Sequence, residues 1–254
     1  MIGLGSVWHA AGYEAMRLRT RRSTLGIMGL AMFGSALVTL PAARAAVNSG
    51  NPQAHAAWVV SGGAAGAILP GTVAVLAAAW LGAGLVTEDY RYGVGLTTYT
   101  RVPKRGAALL GKLLVALLVG ISLASSTRLA AYLTALGGFA LTRGSSAAEH
   151  ISLGLTLTMP TPAEFCFAAF GGMAGVLCAP VLRFRLFAAP AAWLLTALIA
   201  ALMPGSHSPY TQAIAIGMYD LGLPVEQTAM ALPETLVVGL LLVSLLTLRR
   251  RRID

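Results

Sequence analysis

Long stretches of this chain carry almost no charge. Apolar runs cover residues 24–43, 62–87, 109–136, 163–182, 186–204 and 233–248. A helix needs about 20 apolar residues to cross a hydrocarbon layer roughly 30 Å thick, where backbone polar groups must be satisfied within the segment. Six such runs take up about half the chain and leave only short connections. Charged residues make up 11% of the 254 residues and hydrophobic ones 57%, with a mean hydropathy of +0.75. A soluble domain carries about 25% charge. The expectation is an all-α integral membrane protein, with a single transmembrane domain over residues 1–254, six spans and no large soluble domain.

The formal net charge is +9 and the pI about 10.3, which in a soluble protein points to nucleic acid. The placement of the charges says otherwise. Most Lys and Arg fall in four clusters: Arg17, Arg19, Arg21 and Arg22; Arg91, Arg101, Lys104, Arg105 and Lys112; Arg183 and Arg185; and Arg249 to Arg252. Arg44, Arg128 and Arg143 stand apart. Clusters at every second connection are the positive-inside pattern of a membrane protein, not a nucleic-acid face. Both termini are therefore expected to be cytoplasmic, with residues 44–61, 137–162 and 205–232 outside.

Several segments have their own signatures. "RTRRSTLGIMG" followed by Ala43-Arg44-Ala45 imitates an export signal, but the run is longer than the usual 7 to 15 residues of a signal core and five more spans follow. Before it, Val7, Trp8, Ala11, Ala15 and Leu18 recur at helical spacing with arginines at the end, the pattern of an interfacial helix with Trp8, Arg17 and Arg19 at headgroup level. Thr161-Pro162-Ala163-Glu164 forms a capping box with proline at the first helical position, and Pro233-Glu234 repeats the proline and acid, which gives Glu164 and Glu234 a capping role. Gly62-x-x-x-Gly66 and Gly171-x-x-x-Gly175 offer small faces for helix contact, within the chain or between chains. The stretch 205–232 is too apolar for a solvated loop and too interrupted by Pro209, Gly217, Gly222 and Pro224 for a span. A re-entrant or interfacial segment before the last span fits, anchored by Tyr210 and Tyr219. Cys166 and Cys178 lie roughly 18 Å apart along one helix, beyond disulfide reach.

Signs of chemistry are few. "RGAALLGKLLV" has the glycine and Gly-Lys spacing of a phosphate-binding loop, but Leu113 stands where Ser or Thr must hold magnesium, and no buried strand precedes it. An intramembrane hydrolase or transferase has only the adjacent Ser206 and His207 to draw on, without a separated partner. His9, His55, His150 and His207 lack metal-ligand spacing. No acid sits centrally in a run, as a proton- or sodium-coupled carrier would require. Arg128 is the interior charge; it either lines an anionic cargo path or snorkels from the far end of a long third span.

One connection is more specific. "EDYRYGVGLTTYTRVPKRGAALLGKLLV", from Glu88 to Val115, resembles the first cytoplasmic loop of the permease subunits of ATP-binding-cassette exporters of type 2. In that family an acid, an aromatic, Arg, any residue, Gly and Thr start a short helix that leads to a Pro-basic-basic turn and a lysine opening span three. Asp89, Tyr90, Arg91 and Gly93 follow the pattern, as do Thr97 and Thr98, Pro103, Lys104 and Arg105, and Lys112. Two positions depart from it: Asp89 stands where glutamate is commoner, and Val94 where threonine is usual. The six-span layout, the tight basic turn "LRFRLFA" and the terminal "RRRRID" also resemble the family.

The resemblance implies a transporter subunit in a bacterial plasma (inner) membrane that is not itself an enzyme. Residues Asp89 to Arg105 would couple it to a separate cytoplasmic ATP-binding-cassette ATPase, which holds the ATP and magnesium, while this chain holds no cofactor. A second permease, identical or paralogous, would complete the transport cavity, and the lack of interior charge favours an apolar or amphipathic cargo such as a drug, lipid or lipopeptide. The alternatives are the Ser206-His207 hydrolase or transferase and a partner-independent membrane carrier or scaffold.

Overall fold

The computed structural model describes residues 4–47, 71–91, 105–143 and 162–202. Among them six helices follow one another without a strand: α1 (Leu4–Arg19), α2 (Arg22–Val47), α3 (Thr72–Arg91), α4 (Arg105–Arg143), α5 (Pro162–Leu182) and α6 (Arg185–Leu202). Four of these, α2 to α5, are long and apolar enough to cross a membrane, and the apolar part of α6, Arg185–Leu198, is shorter. Those four helices suggest a membrane protein. The expected span 233–248, the interfacial segment 205–232 and Gly62-x-x-x-Gly66 lie outside the described residues.

Helix ends follow local chemistry where that chemistry is strong. Pro162 opens α5, as its fixed φ and missing N–H suit a first turn. Only Arg183 and Phe184 separate α5 from α6, and Arg183 takes a left-handed φ of 58° to reverse the chain. Two ends depart from expectation. α3 runs through Glu88, Asp89 and Tyr90 to Arg91, and α4 is 39 residues long, with its last turns on ground expected to be outer connection. Nothing between Arg128 and Arg143 stops α4: the stretch has no proline, and Gly137 and Gly138 each disfavour a helix by only about 1 kcal/mol.

Small residues set the packing. α3 is the central helix, with 72% of its apolar window buried against 17% for α2 at the periphery. It packs on α5, α4 and α6, while α2 and α1 lie along α4. Lipid supplies no hydrophobic drive between helices, so close approach of backbones must hold them. Gly82 on α3 faces the backbone of Gly172 on α5, and Gly175 faces Ala79. A Cβ at Gly120 on α4 would lie 2.5 Å from the Ala168 carbonyl, and one at Gly171 would lie 2.8 Å from Val75 Cγ1. The Gly171-x-x-x-Gly175 face is thus used within the chain.

α1 forms where its spacing predicts, but it is turned about its axis. Ala10, Ala11, Glu14 and Leu18 are buried, whereas Trp8 and Ala15, expected on the same apolar face, are exposed. The seat is Gly111 on α4, where a Cβ would come 2.8 Å from that of Ala10. Contacts below join the starts of α4 and α6 to the ends of α1 and α3. The basic clusters at residues 17–22, 91, 112 and 183–185 therefore gather at one end of the bundle.

Candidate functional site

The basic end is held by a buried ion-pair node. Glu14 projects from α1 on the same face as Ala10, Ala11 and Leu18, so docking that face carries a carboxylate into the protein, where it is 2% exposed. Its partner is Lys112, in the second turn of α4, with Nζ donating to Glu14 Oε1 at 2.6 Å and to the Leu85 carbonyl at 2.6 Å. Lys112 Nζ also lies 2.8 Å from Asp89 Oδ2. Arg17, one turn on from Glu14, donates to Asp89 Oδ1 at 2.5 Å and to Glu14 Oε2 at 3.3 Å. Two cations and two carboxylates thus close a ring across α1, α3 and α4. Burial disfavours the Arg17 charge, but the hydrogen bond and attraction of Asp89, with Glu14 behind them, outweigh it and raise its pKa.

A second set of contacts extends the node to α6. Glu88 is in contact with Arg21, lies 3.8 Å from Arg17 Nη2 and accepts from Arg185 at 3.5 Å. Arg185 also donates from Nε to the Trp80 carbonyl at 2.8 Å and sits 5.0 Å from the Trp80 ring centre, a cation–π distance. Room for this reach comes from Gly84, where a Cβ would be 2.8 Å from the guanidinium carbon. The carbonyls of Trp80 and Leu85 already bond within α3, and each has a second lone pair for a cation.

At the other level Arg128 pairs with Glu164 at 2.8 Å, with both side chains about 5% exposed or less. Arg128 is turned inward here, toward the start of α5. Glu164 does sit in the first turn of α5, where a negative charge suits the helix dipole, but its carboxylate is engaged by Arg128 and 4% exposed. Ser35 on α2 donates to the Thr127 carbonyl at 2.9 Å beside it. From Lys112 to Arg128 α4 rises about 24 Å. The two charged levels therefore bracket a thickness close to that of a hydrocarbon layer, roughly 30 Å.

The expected coupling residues divide. Asp89 is turned inward to Arg17 and Lys112, while Tyr90 and Arg91 in the same last turn of α3 are exposed. Arg105 begins α4. Gly93, Thr97, Thr98, Pro103 and Lys104 lie outside the described residues, as do Ser206 and His207. Trp8 and Arg19 are exposed on α1, whereas Arg17 belongs to the node. Among the described residues no group of three or more His, Cys, Asp or Glu could hold a metal ion. Sequence reasoning passed over Glu14, Glu88 and Arg185 as site residues, and took Lys112 only as the opening of a span. One signal was present for Glu14: it is the acid on a stripe otherwise made of Val7, Ala11 and Leu18. Comparison of the chain with protein-family models, curated proteins and solved structures found no significant match.

Proposed function

We propose that this chain is the six-span permease subunit of an ATP-driven exporter of the ATP-binding-cassette type, working with a second permease and a separate cytoplasmic ATPase. The observation that carries the reading is the node itself. It ties α1, the end of α3 and the starts of α4 and α6 together at the two helix ends that residues 92–104 connect in sequence. A force applied to that segment would reach four helices through buried charges, whose pairing tolerates little displacement. Tyr90 and Arg91 offer an aromatic and a cation to a partner's cleft, the residue types that anchor interfaces. Asp89 then serves transmission inside the protein and Tyr90 and Arg91 serve docking. Both termini are cytoplasmic in this reading, the membrane is a bacterial plasma membrane, and the cargo is apolar or amphipathic.

The test is to purify the tagged chain from native membranes in mild detergent and assay the eluate for a co-purifying ATPase. The wild type should bring one down in fixed proportion, and Tyr90→Ala with Arg91→Ala should lose it while the chain stays folded. Asp89→Asn should retain the partner but uncouple ATP hydrolysis from transport. A wild-type chain that elutes without any nucleotide-binding partner would refute the reading. The buried Arg128–Glu164 pair favours a second one, a partner-independent carrier, because ionisable groups buried among membrane-crossing helices are rare and mark functional sites. That carrier would transport without ATP and would stop on Glu164→Gln.

A further inference from the structure

The charges of the node do not balance evenly. Glu14 and Asp89 answer Lys112 and one face of Arg17, but the guanidiniums of Arg17, Arg21 and Arg185 all converge on the single carboxylate of Glu88. Arg17 Nη2 is buried at 3.8 Å from Glu88 without a hydrogen bond. Arg21 lies close enough to Arg185 for the two charges to disfavour each other. The bonds of Arg185 to Trp80 and Glu88 use two of its five donors. Exposed Arg22 follows Arg21 in the chain and exposed Arg183 lies two residues before Arg185, and both add further positive charge. The same cations sit at the start of α2 and of α6, the positive ends of two helices that carry no acid in their first turns.

We propose that this rim, formed by Arg21 and Arg185 with Arg22 and Arg183 beside them, binds the phosphate of an anionic phospholipid headgroup. An anion here answers Arg21 and Arg185, which converge with Arg17 on Glu88, and two helix ends that lack an acid in their first turns. Its surroundings select a lipid over a soluble phosphate. Leu25, one turn after Arg21 and Arg22, and Phe184 and Phe187, on either side of Arg185 in the chain, are exposed and suited to acyl-chain and interface contact. A zwitterionic headgroup would bring its own cation against the rim, so a net negative headgroup is preferred. The site does not depend on the permease reading.

The experiment is native mass spectrometry of the full chain in mild detergent, with phosphatidylglycerol and phosphatidylcholine of identical acyl chains at equal concentration. Wild type should retain phosphatidylglycerol in clear preference. Arg22→Gln with Arg183→Gln, both exposed and without a role in the node, should weaken that retention by roughly fivefold for each arginine removed. Arg21→Gln should weaken it further; should that variant misfold, the exposed double variant still decides. Millimolar inorganic phosphate should leave the bound lipid in place. Equal retention of the two lipids, an unchanged double variant, or displacement by inorganic phosphate would each overturn the proposal, the last by making this a soluble-anion site.

Discussion

A double-substitution cycle on Glu14 and Lys112 tests whether the node holds α1 to the bundle. Lys112 Nζ has carboxylate oxygens at 2.6 and 2.8 Å and a carbonyl at 2.6 Å. At an effective dielectric near 20 each ion contact is worth about 6 kcal/mol gross, and desolvation offsets most of that. Removing one partner alone leaves the opposite charge buried, at a cost of about 3–5 kcal/mol. Glu14→Gln should fall near 3 kcal/mol, since Lys112 keeps Asp89 and the Leu85 carbonyl. Lys112→Met should cost more, because Glu14 and Asp89 must then share Arg17. The double variant restores the charge balance and should cost about as much as the worse single one, a coupling of roughly 2–3 kcal/mol. Unfolding of the purified chain in mixed micelles, titrated with dodecyl sulfate, measures all three. Additive costs, or a Glu14→Gln cost under about 0.5 kcal/mol, would refute a buried node.

The same assay checks further outcomes. Arg128→Met alone should destabilise by about 3–5 kcal/mol, while Arg128→Met with Glu164→Gln should recover most of it. Gly120→Ala should lose about 1–3 kcal/mol to overlap with the Ala168 carbonyl, whereas Gly12→Ala, with nothing within 4 Å, should gain about 0.5–1 kcal/mol. Tyr132 Oη is buried without a hydrogen-bond partner among the described residues, so Tyr132→Phe should stabilise by about 1–3 kcal/mol. The folded state raises the Arg17 pKa, so its contribution is complete below the ordinary arginine range and is lost only as pH rises beyond it. Stability measured between about pH 6 and 9 should therefore show no step that Arg17→Gln removes.

How much of this was legible varies by element. α5 and α6 keep close to the expected limits because Pro162 and the Arg183–Phe184 reversal are local signals. The helix α1 was legible from its spacing, but its rotation was not, because the choice between Trp8 and Glu14 as the buried side depends on what α4 presents. The extra length of α4 was missed because the layout expected an outer connection where no residue breaks the helix. Glu164 does stand in the first turn of α5, yet its place in the sequence gave no hint of an arginine 36 residues away.

The sequence by itself determined that this chain is helical, that several helices can cross a membrane and where the positive charge collects, because apolar length and charge clustering are local quantities read one segment at a time. Only the tertiary structure decided which charges meet. Glu14 and Lys112 lie 98 residues apart, and Arg185 reaches the Trp80 carbonyl across 105. A charge inside a low-dielectric bundle must find a partner, but its identity depends on the register between helices. That register is set by glycine contacts such as Gly82 with Gly172 and Gly111 with Ala10, which no periodicity along one helix encodes.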